Sequence, residues 1–275
     1  MSFSVNTNAG ALIALQNLTS TESSLAKAQN QVSTGLAVSN PGDNGAVWAI
    51  AQNQRGQSTA LDSVKQSLQR VQSTVDVATS AGSSVSDLLN QLKTKVLSAT
   101  DTSLDTTSRN ALNTDFTQLV KQIQNVVTNA SFNGSNLLNG TVTNLQALAS
   151  ADGTQHLTVN AQNLSLGGSV ITFAATATIS TATGASTLLT SVNSSIANVN
   201  NALASLGSAS NSLTSQLSFV GNLQDTIDQG VGNLVDANLA KESAQLQALQ
   251  TKQSLGIQAL SIANSSTSSL LSLFR

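Results

Sequence analysis

Residues 61–99 read LDSVKQSLQRVQSTVDVATSAGSSVSDLLNQLKTKVLSA, with apolar side chains at alternating steps of three and four positions. Steps of this kind place one apolar stripe along one side of an α-helix. Eleven of the twelve stripe positions are apolar, in a chain that is 40% hydrophobic overall. This stripe, the first seam, contains Leu61, Val64, Leu68, Val71, Val75, Ala78, Gly82, Val85, Leu89, Leu92, Val96 and Ala99. Its length predicts a long helix packed lengthwise against another helix.

A second stretch of the chain carries the same pattern, and twelve of its fourteen stripe positions are apolar. This second seam contains Leu189, Val192, Ile196, Val199, Leu203, Leu206, Ser210, Leu213, Leu217, Val220, Gln224, Ile227, Val231 and Leu234. Two seams of similar length predict a rod of two long helices. Antiparallel packing of those helices would bring both chain ends together.

Weaker apolar stripes flank the two seams. A first helix is predicted from Ala11 to Leu36, ended by Gly35, with Glu22 and Gln29 interrupting its stripe. The apolar positions of that stripe are Leu15, Leu18, Leu25, Val32 and Leu36. At Val235 the apolar frame slips by one position, which indicates a bend or break between helices. A last helix is predicted beyond it, with Leu239, Leu246, Leu249, Leu260, Ala263 and Leu270 on its apolar side and Glu242, Gln253 and Gly256 as weak positions.

The segments between these helices carry other signals. Residues 39–45 predict a turn, and residues 46–51 form a short apolar piece that contains Trp48. A third helix is predicted to open at Ser108 or Asn110 and to end before a turn at residues 131–136. Residues 141–179 show alternation and turn signals that predict two or three short strands. The predicted fold is mainly α: a long antiparallel coiled-coil rod with a small β-hairpin insert, and paired N- and C-terminal helices.

The composition favours a protein that associates with itself. Only 9% of its 275 residues are charged, against about 25% in an ordinary globular protein. Ser, Thr, Asn and Gln fill the other helix faces, and such surfaces can be buried against copies of the same chain without stranding charges.

The same composition argues against several other classes of protein. A net charge of −2 without a Lys/Arg cluster predicts no nucleic-acid partner. The chain has no Cys and one His, His156, which is expected to be a solvated surface residue in the β insert. No metal-ligand cluster, phosphate-binding loop or nucleophile motif is present, so we expect no catalytic residue, metal or cofactor and no enzymatic activity. No conventional signal peptide and no membrane-spanning stretch are expected either.

Both ends of the chain resemble bacterial flagellin. The N-terminal resemblance rests on Asn6-Thr7-Asn8, Val32-Ser33-Thr34-Gly35-Leu36 and Pro41-Gly42-Asp43-Asn44-Gly45-Ala46. Phe132-Asn133-Gly134, followed by Leu137-Leu138, is similar to the turn after the third helix of that family. The C-terminal resemblance rests on residues 234–242, LVDANLAKE, and residues 270–275, LLSLFR. The resemblance covers essentially the whole chain and points to the short flagellins of alphaproteobacteria.

This resemblance implies a subunit that self-assembles into the flagellar filament for swimming motility, outside the cell and exported without a cleaved signal peptide. The implied partners are copies of the chain itself, a flagellar export chaperone, the export apparatus, and the filament cap and hook-associated proteins. A hook–filament junction protein is the alternative, because such proteins resemble flagellin at their ends. A chemoreceptor-type signalling bundle is a further alternative, which should carry membrane spans and more Glu.

The resemblance also implies a division of the chain. Residues 1–35 and 235–275 would be the two halves of a filament-core coiled coil, residues 36–56 a linker, residues 57–186 the first half of a rod domain with the β insert, and residues 187–234 the returning rod helix. Self-assembly is expected through Leu15, Leu18, Leu25, Val32, Leu246, Leu249, Leu260, Leu270, Leu273 and Phe274. The rod is expected to be held by the seams, above all by Leu61, Val64, Leu68, Val71, Leu89, Leu92, Val199, Leu203, Leu213 and Leu217.

Overall fold

The computed structural model describes the backbone of residues 7–272 and the side chains of residues 7–265. Five helices and one two-stranded sheet follow one another along the chain. They are α1 (Ala9–Thr34), α2 (Gly45–Ala99), α3 (Thr106–Asn129), β1 (Asn144–Leu148), β2 (His156–Asn160), α4 (Ala182–Val235) and α5 (Leu239–Ser272). The prediction of a mainly helical chain with a small β hairpin and paired terminal helices is confirmed.

The chain divides into two compact units, which are described separately. Unit 1 consists of Met1–Gly56 together with Thr226–Arg275, and unit 2 of Gln57–Asp225. The short apolar piece at residues 46–51 is part of α2, which begins at Gly45. Gly56 is the only glycine between that start and the first seam, and a helix interior tolerates one glycine at a cost of about 1 kcal/mol.

Local capping signals decide where the shorter helices begin and end. Asn8 caps α1 by accepting a hydrogen bond from the Ala11 N–H, and Gly35 ends it with a left-handed φ of 73°. Asp105 caps α3 by accepting the Ser108 N–H at 3.0 Å. The predicted start of α3 at Ser108 or Asn110 is therefore late, since Asp105 is the better capping residue and lies before both.

The core of unit 2 is built on the first seam. All twelve of its positions are buried, and Leu68, Leu89 and Leu92 are completely inaccessible. From α3, Phe116 and Ile123 are likewise fully buried. Large apolar side chains without exposed surface stabilise a core by about 1.5–3 kcal/mol each, so this stripe supplies most of the apolar stabilisation of α2.

Helices α2 and α4 run antiparallel within unit 2. Lys65 Nζ lies 3.2 Å from Gln224 Oε1, Gln72 Nε2 lies 2.8 Å from Ser210 Oγ, and Ser86 Oγ lies 3.3 Å from Asn200 Oδ1. Residue numbers rise along α2 while those of the partners fall along α4. Gln224 and Ser210 are the two polar positions of the second seam, and each is thus hydrogen-bonded to α2.

The second seam is buried less evenly than the first. Val192, Val199, Leu206, Leu213 and Val220 are buried, whereas the positions between them, including Leu203 and Leu217, are half-buried. In the first half of α4 the more deeply buried neighbours are Leu188, Ser195 and Ala202, one residue before the predicted positions. At these turns the buried line of α4 therefore lies one residue before the predicted stripe, which corresponds to a rotation about the helix axis. Its last position, Leu234, is 39% exposed, and the adjacent Val235 is buried instead.

The insert between α3 and α4 contains one hairpin of two strands. The prediction was two or three strands, and the lower number is correct. β1 pairs with β2 in antiparallel register, with Leu145 opposite Val159 and Ala147 opposite Leu157. Leu148 N donates to Ser67 Oγ of α2 at 3.1 Å, and Gln216 Nε2 of α4 donates to Ala149 O at 3.2 Å. The rest of the insert lacks a ladder and is held by buried side chains, namely Leu164, Ile171, Phe173 and Ile179.

Candidate assembly surfaces

A metal site requires several ligand side chains close together. Over the part of the chain that the structure describes, no group of three or more His, Cys, Asp or Glu lies together as metal ligands would. No described helix combines the length and the hydropathy that crossing a bilayer requires. His156 is exposed at the start of β2.

In unit 1, α1 packs along α5 through small and branched side chains. Thr21, Leu25 and Ala28 are buried on α1, and Leu18 is half-buried. A Cβ on Gly256 of α5 would lie 3.3 Å from Leu18 Cδ1, so the glycine allows close approach of the two helices. At the start of α1, Asn8 Nδ2 donates to Ala263 O of α5 at 2.8 Å. The pair is thus tied by packing along its length and by a hydrogen bond near one end.

The predicted stripe on α5 matches half-buried positions of that helix except at Leu239, which is 50% exposed. Leu246, Leu249 and Leu260 are half-buried, together with the predicted weak positions Glu242, Gln253 and Gly256. On α1 the placement differs: Leu25 is buried and Val32 half-buried, but Leu15 is 49% exposed. Glu22 and Gln29 are exposed, so they do not interrupt the packed face. The side chain of Leu270 and all of Leu273 and Phe274 lie outside the described residues.

Large apolar side chains remain exposed on both helices of this pair. On α1, Leu12 and Ile13 are each 61% exposed. On α5, Leu255, Ile257 and Ile262 are 59%, 54% and 69% exposed. A groove of about 410 Å³ between the two helices is lined by Gly10, Ile13, Ala14, Asn17, Leu18, Thr21, Lys252, Leu255, Gly256 and Ala259. Large exposed apolar patches mark interaction sites in soluble proteins, so this helix pair is the candidate assembly surface of unit 1.

The two connectors that lead into the terminal helices pair with each other. Leu36 forms an antiparallel bridge with Asp236. Ala37 N donates to Val235 O at 2.7 Å, and Ala237 N donates to Gly35 O at 2.9 Å. Beside them Val235 is buried with Ala51 and Val231, against Leu36, Val38, Val47 and Ile227. The frame slip at residue 235 therefore places an apolar anchor where the two connectors meet.

The turn after α1 is organised by one carboxylate. Asp43 Oδ2 accepts hydrogen bonds from Ser39 N at 3.1 Å, Ser39 Oγ at 3.1 Å and Asn40 N at 3.2 Å. The Ser39 backbone hydrogen bond is the main cause that lowers the pKa of Asp43, with Lys27 contributing through its charge. The loop is thus held by an ionised carboxylate.

Two buried polar residues of unit 2 were not singled out by the sequence patterns. Arg109 is 8% exposed, and its guanidinium donates to Ala99 O, to Asp101 O at 2.8 Å and to Leu104 O at 3.4 Å. Asn136 is 4% exposed and donates to Val127 O at 2.8 Å, while its Oδ1 accepts from Leu138 N at 2.8 Å. Both side chains bind backbone groups left without helical partners at the ends of α2 and α3. The apolar pattern carries no signal for such contacts, although the acceptors lie only five to ten residues away along the chain.

Comparison with known proteins is consistent along the whole chain. The family model described as the bacterial flagellin N-terminal helical region matches residues 5–143, and that of the C-terminal helical region matches residues 189–274. Flagellin FljM of Caulobacter vibrioides is 53% identical over 272 residues, covering 99% of this chain and 98% of the relative. A flagellin of Brucella melitensis is 40% identical, covering 99% of each chain, and flagellin C of Rhizobium meliloti is 32% identical, also covering 99% of each. The chain therefore belongs to the bacterial flagellin family and is a structural subunit of the extracellular flagellar filament.

Proposed function

We propose that the α1/α5 pair is the surface through which the subunit polymerises. The observation that carries the proposal is the set of exposed apolar side chains on a helix pair whose inner face is already packed. Burying these side chains against neighbouring copies would remove apolar surface from water, at about 25 cal/mol per Å². The exposed Leu15 fits this role, because it lies off the face that contacts α5.

In this proposal the segments of the chain have different roles. Residues 1–35 and 235–275 form the filament-core coiled coil, with Leu246, Leu249 and Leu260 holding the pair together before assembly. Residues 57–186 and 187–234 form the rod domain, joined to the core by residues 36–56. Unit 2 contributes apolar contacts of its own, since Leu97 and Phe219 are 54% and 57% exposed.

Membership of the flagellin family supports the other partners that the resemblance implies. The subunit leaves the cell through the flagellar export apparatus without a cleaved signal peptide, held beforehand by an export chaperone. It is then added at the filament cap, beyond the hook-associated proteins. The filament subunit is favoured over the hook–filament junction because the relatives that match along the whole chain are named flagellins.

A pair of variants at one position tests the polymerisation surface. Ile262→Glu places a charge on a side chain that is 69% exposed, so the free subunit should fold normally. Burying that carboxylate between copies is unfavourable, so filament growth should fail. Ile262→Val keeps the apolar surface and should still polymerise.

Seeded assembly followed by electron microscopy measures growth, and circular dichroism of the free subunits checks that both variants fold. Filaments of normal length from a folded Ile262→Glu subunit would contradict the proposal.

A further inference from the structure

The chain contains three Asn–Gly dipeptides, Asn44-Gly45, Asn133-Gly134 and Asn139-Gly140. Asn–Gly is the dipeptide most prone to spontaneous deamidation, because glycine has no side chain to hinder attack by its backbone nitrogen on the asparagine Cγ. Attack requires a free side-chain amide and a backbone able to change conformation. The three sites differ in both respects.

Two of the three asparagines are held by hydrogen bonds. Asn44 Oδ1 accepts from Val47 N at 3.2 Å, at the start of the 55-residue helix α2. Asn139 Oδ1 accepts from Thr141 N at 3.0 Å and from Thr141 Oγ1 at 2.6 Å. The backbone of Gly140 is also crowded, since a Cβ there would lie 2.6 Å from Asn163 Nδ2. Cyclisation at either site must first break these contacts.

Asn133 lies in a different environment. Its side chain is exposed and makes no hydrogen bond within the part of the chain that the structure describes. It has a φ of 48°, the one positive φ of a non-glycine residue in the described range, and Gly134 follows with a φ of 80°. Only two backbone hydrogen bonds close the turn, Phe132 N to Ser135 O at 2.9 Å and Ser135 N to Phe132 O at 3.0 Å. Asn and Gly are the residues that most readily adopt left-handed conformations, so both fit this turn, which is closed by the two backbone hydrogen bonds without help from the Asn133 side chain.

We infer that Asn133 is a site of spontaneous deamidation and isomerisation, and that it reacts before the other two Asn–Gly sites of the folded subunit. On opening of the turn, the Gly134 nitrogen bonds to Asn133 Cγ, the Cγ–Nδ2 bond breaks, and ammonia leaves with the proton of the Gly134 N–H. Water then hydrolyses the cyclic imide. Cleavage of the new N–Cγ bond gives aspartate, and cleavage at the original peptide carbonyl gives isoaspartate, whose main chain runs through Cβ and Cγ.

Either product changes the surface beside α2. Asn133 lines a groove of about 150 Å³ together with Arg70, Ser67, Thr74 and Gln146. The new carboxylate places a negative charge in a groove that Arg70 also lines. The isoaspartyl product also lengthens the main chain inside a turn that two hydrogen bonds close. Subunits that persist for long therefore accumulate an altered turn after α3.

The three dipeptides serve as internal controls for one another. Free folded subunits are incubated in mildly alkaline buffer, and proteolytic peptides are followed by mass spectrometry, with isoaspartyl methyltransferase labelling to detect isoaspartate. Conversion at Asn133 should exceed conversion at Asn44 and Asn139 by several fold. In denaturant the three rates should converge, because the local contacts are lost. Equal rates in the folded protein, or faster conversion at Asn44 or Asn139, would overturn the inference.

A variant tests whether hydrogen bonding is the cause of the difference. Thr141→Ala removes the hydroxyl that donates to Asn139 and should raise conversion at Asn139 several fold while leaving Asn133 unchanged. An unchanged rate at Asn139 would show that the Thr141 hydroxyl is not the cause of its protection, since the backbone N–H of residue 141 still donates to Asn139 Oδ1. Asn133→Gln, which retains an amide but cyclises far more slowly, should abolish the early product.

Discussion

Leu203 of α4 fills the space that a side chain on Gly82 of α2 would need: a Cβ on Gly82 would lie 2.8 Å from Leu203 Cδ2. Gly82 is the one position of the first seam without an apolar side chain, and it is nevertheless buried. The gap in the stripe is therefore an acceptor for a side chain of the facing helix, as in knobs-into-holes packing.

This contact predicts an unequal response to glycine replacement. Gly207→Ala should stabilise unit 2 by about 1 kcal/mol, because nothing lies within 4 Å of its new methyl group and alanine is the better helix former. Gly82→Ala should lose that gain, because overpacking of a core costs about 1–3 kcal/mol. Urea unfolding of both variants measures the difference. Equal stabilisation by the two substitutions would show that Leu203 moves aside without cost.

The seam itself predicts a contrast between adjacent residues. Leu68→Glu buries an unpaired carboxylate at a fully inaccessible position, a penalty comparable with the whole stability of a domain, about 5–15 kcal/mol. Gln69 is exposed, so Gln69→Glu should leave the helix folded. Thermal unfolding followed by circular dichroism separates the two variants. Equal melting temperatures of the two variants would show that burial of the first seam does not stabilise unit 2.

Arg109 should be essential at the end of α2. Arg109→Met keeps the apolar stem and removes the donors, which leaves the carbonyls of Ala99, Asp101 and Leu104 without that partner. The expected loss is about 2–3 kcal/mol, typical of hydrogen bonds to a charged group. Arg109→Lys should recover only part of it, because an ammonium lacks the planar fork of donors.

Hydrogen exchange at the amides of α2 and α3 next to this loop measures the local effect. The same exchange rates in Arg109→Met as in the unchanged protein would mean that the guanidinium contributes packing alone.

Acid should loosen the turn that Asp43 organises. The folded-state pKa of Asp43 is lowered, so its contribution is fully present above the ordinary carboxyl pKa and is lost as the pH falls through the lowered value. Carboxyl carbon NMR should show Asp43 titrating below the ordinary range. Trp48 lies in the first turn of α2, directly after the loop that Asp43 organises. Its fluorescence therefore reports a change at the start of that helix. In Asp43→Asn this acid transition should vanish, and titration of Asp43 at or above the ordinary value would contradict the assignment.

The order of the helices and the position of the hairpin could be predicted from the sequence, because each rests on local information. The pairing of the two ends was predicted from the two seams of similar length and from the resemblance to flagellin. Heptad steps specify which residues share a helix face, and residues such as Gly35 and Asp105 specify helix ends within one turn. The slip in the apolar frame at Val235 likewise predicted the break between α4 and α5.

Tertiary structure alone decided how far each stripe is rotated and which polar groups enter the core. Periodicity defines a stripe about 100° wide or more, but the packed line within it depends on the partner helix. Hence Leu15 is exposed while Thr21 is buried, and on α4 Ser195 is buried while the adjacent Ile196 is half-buried. Arg109 and Asn136 are buried because nearby helix ends and loops present backbone carbonyls that accept hydrogen bonds from them, and a pattern of apolar positions does not specify such hydrogen bonds.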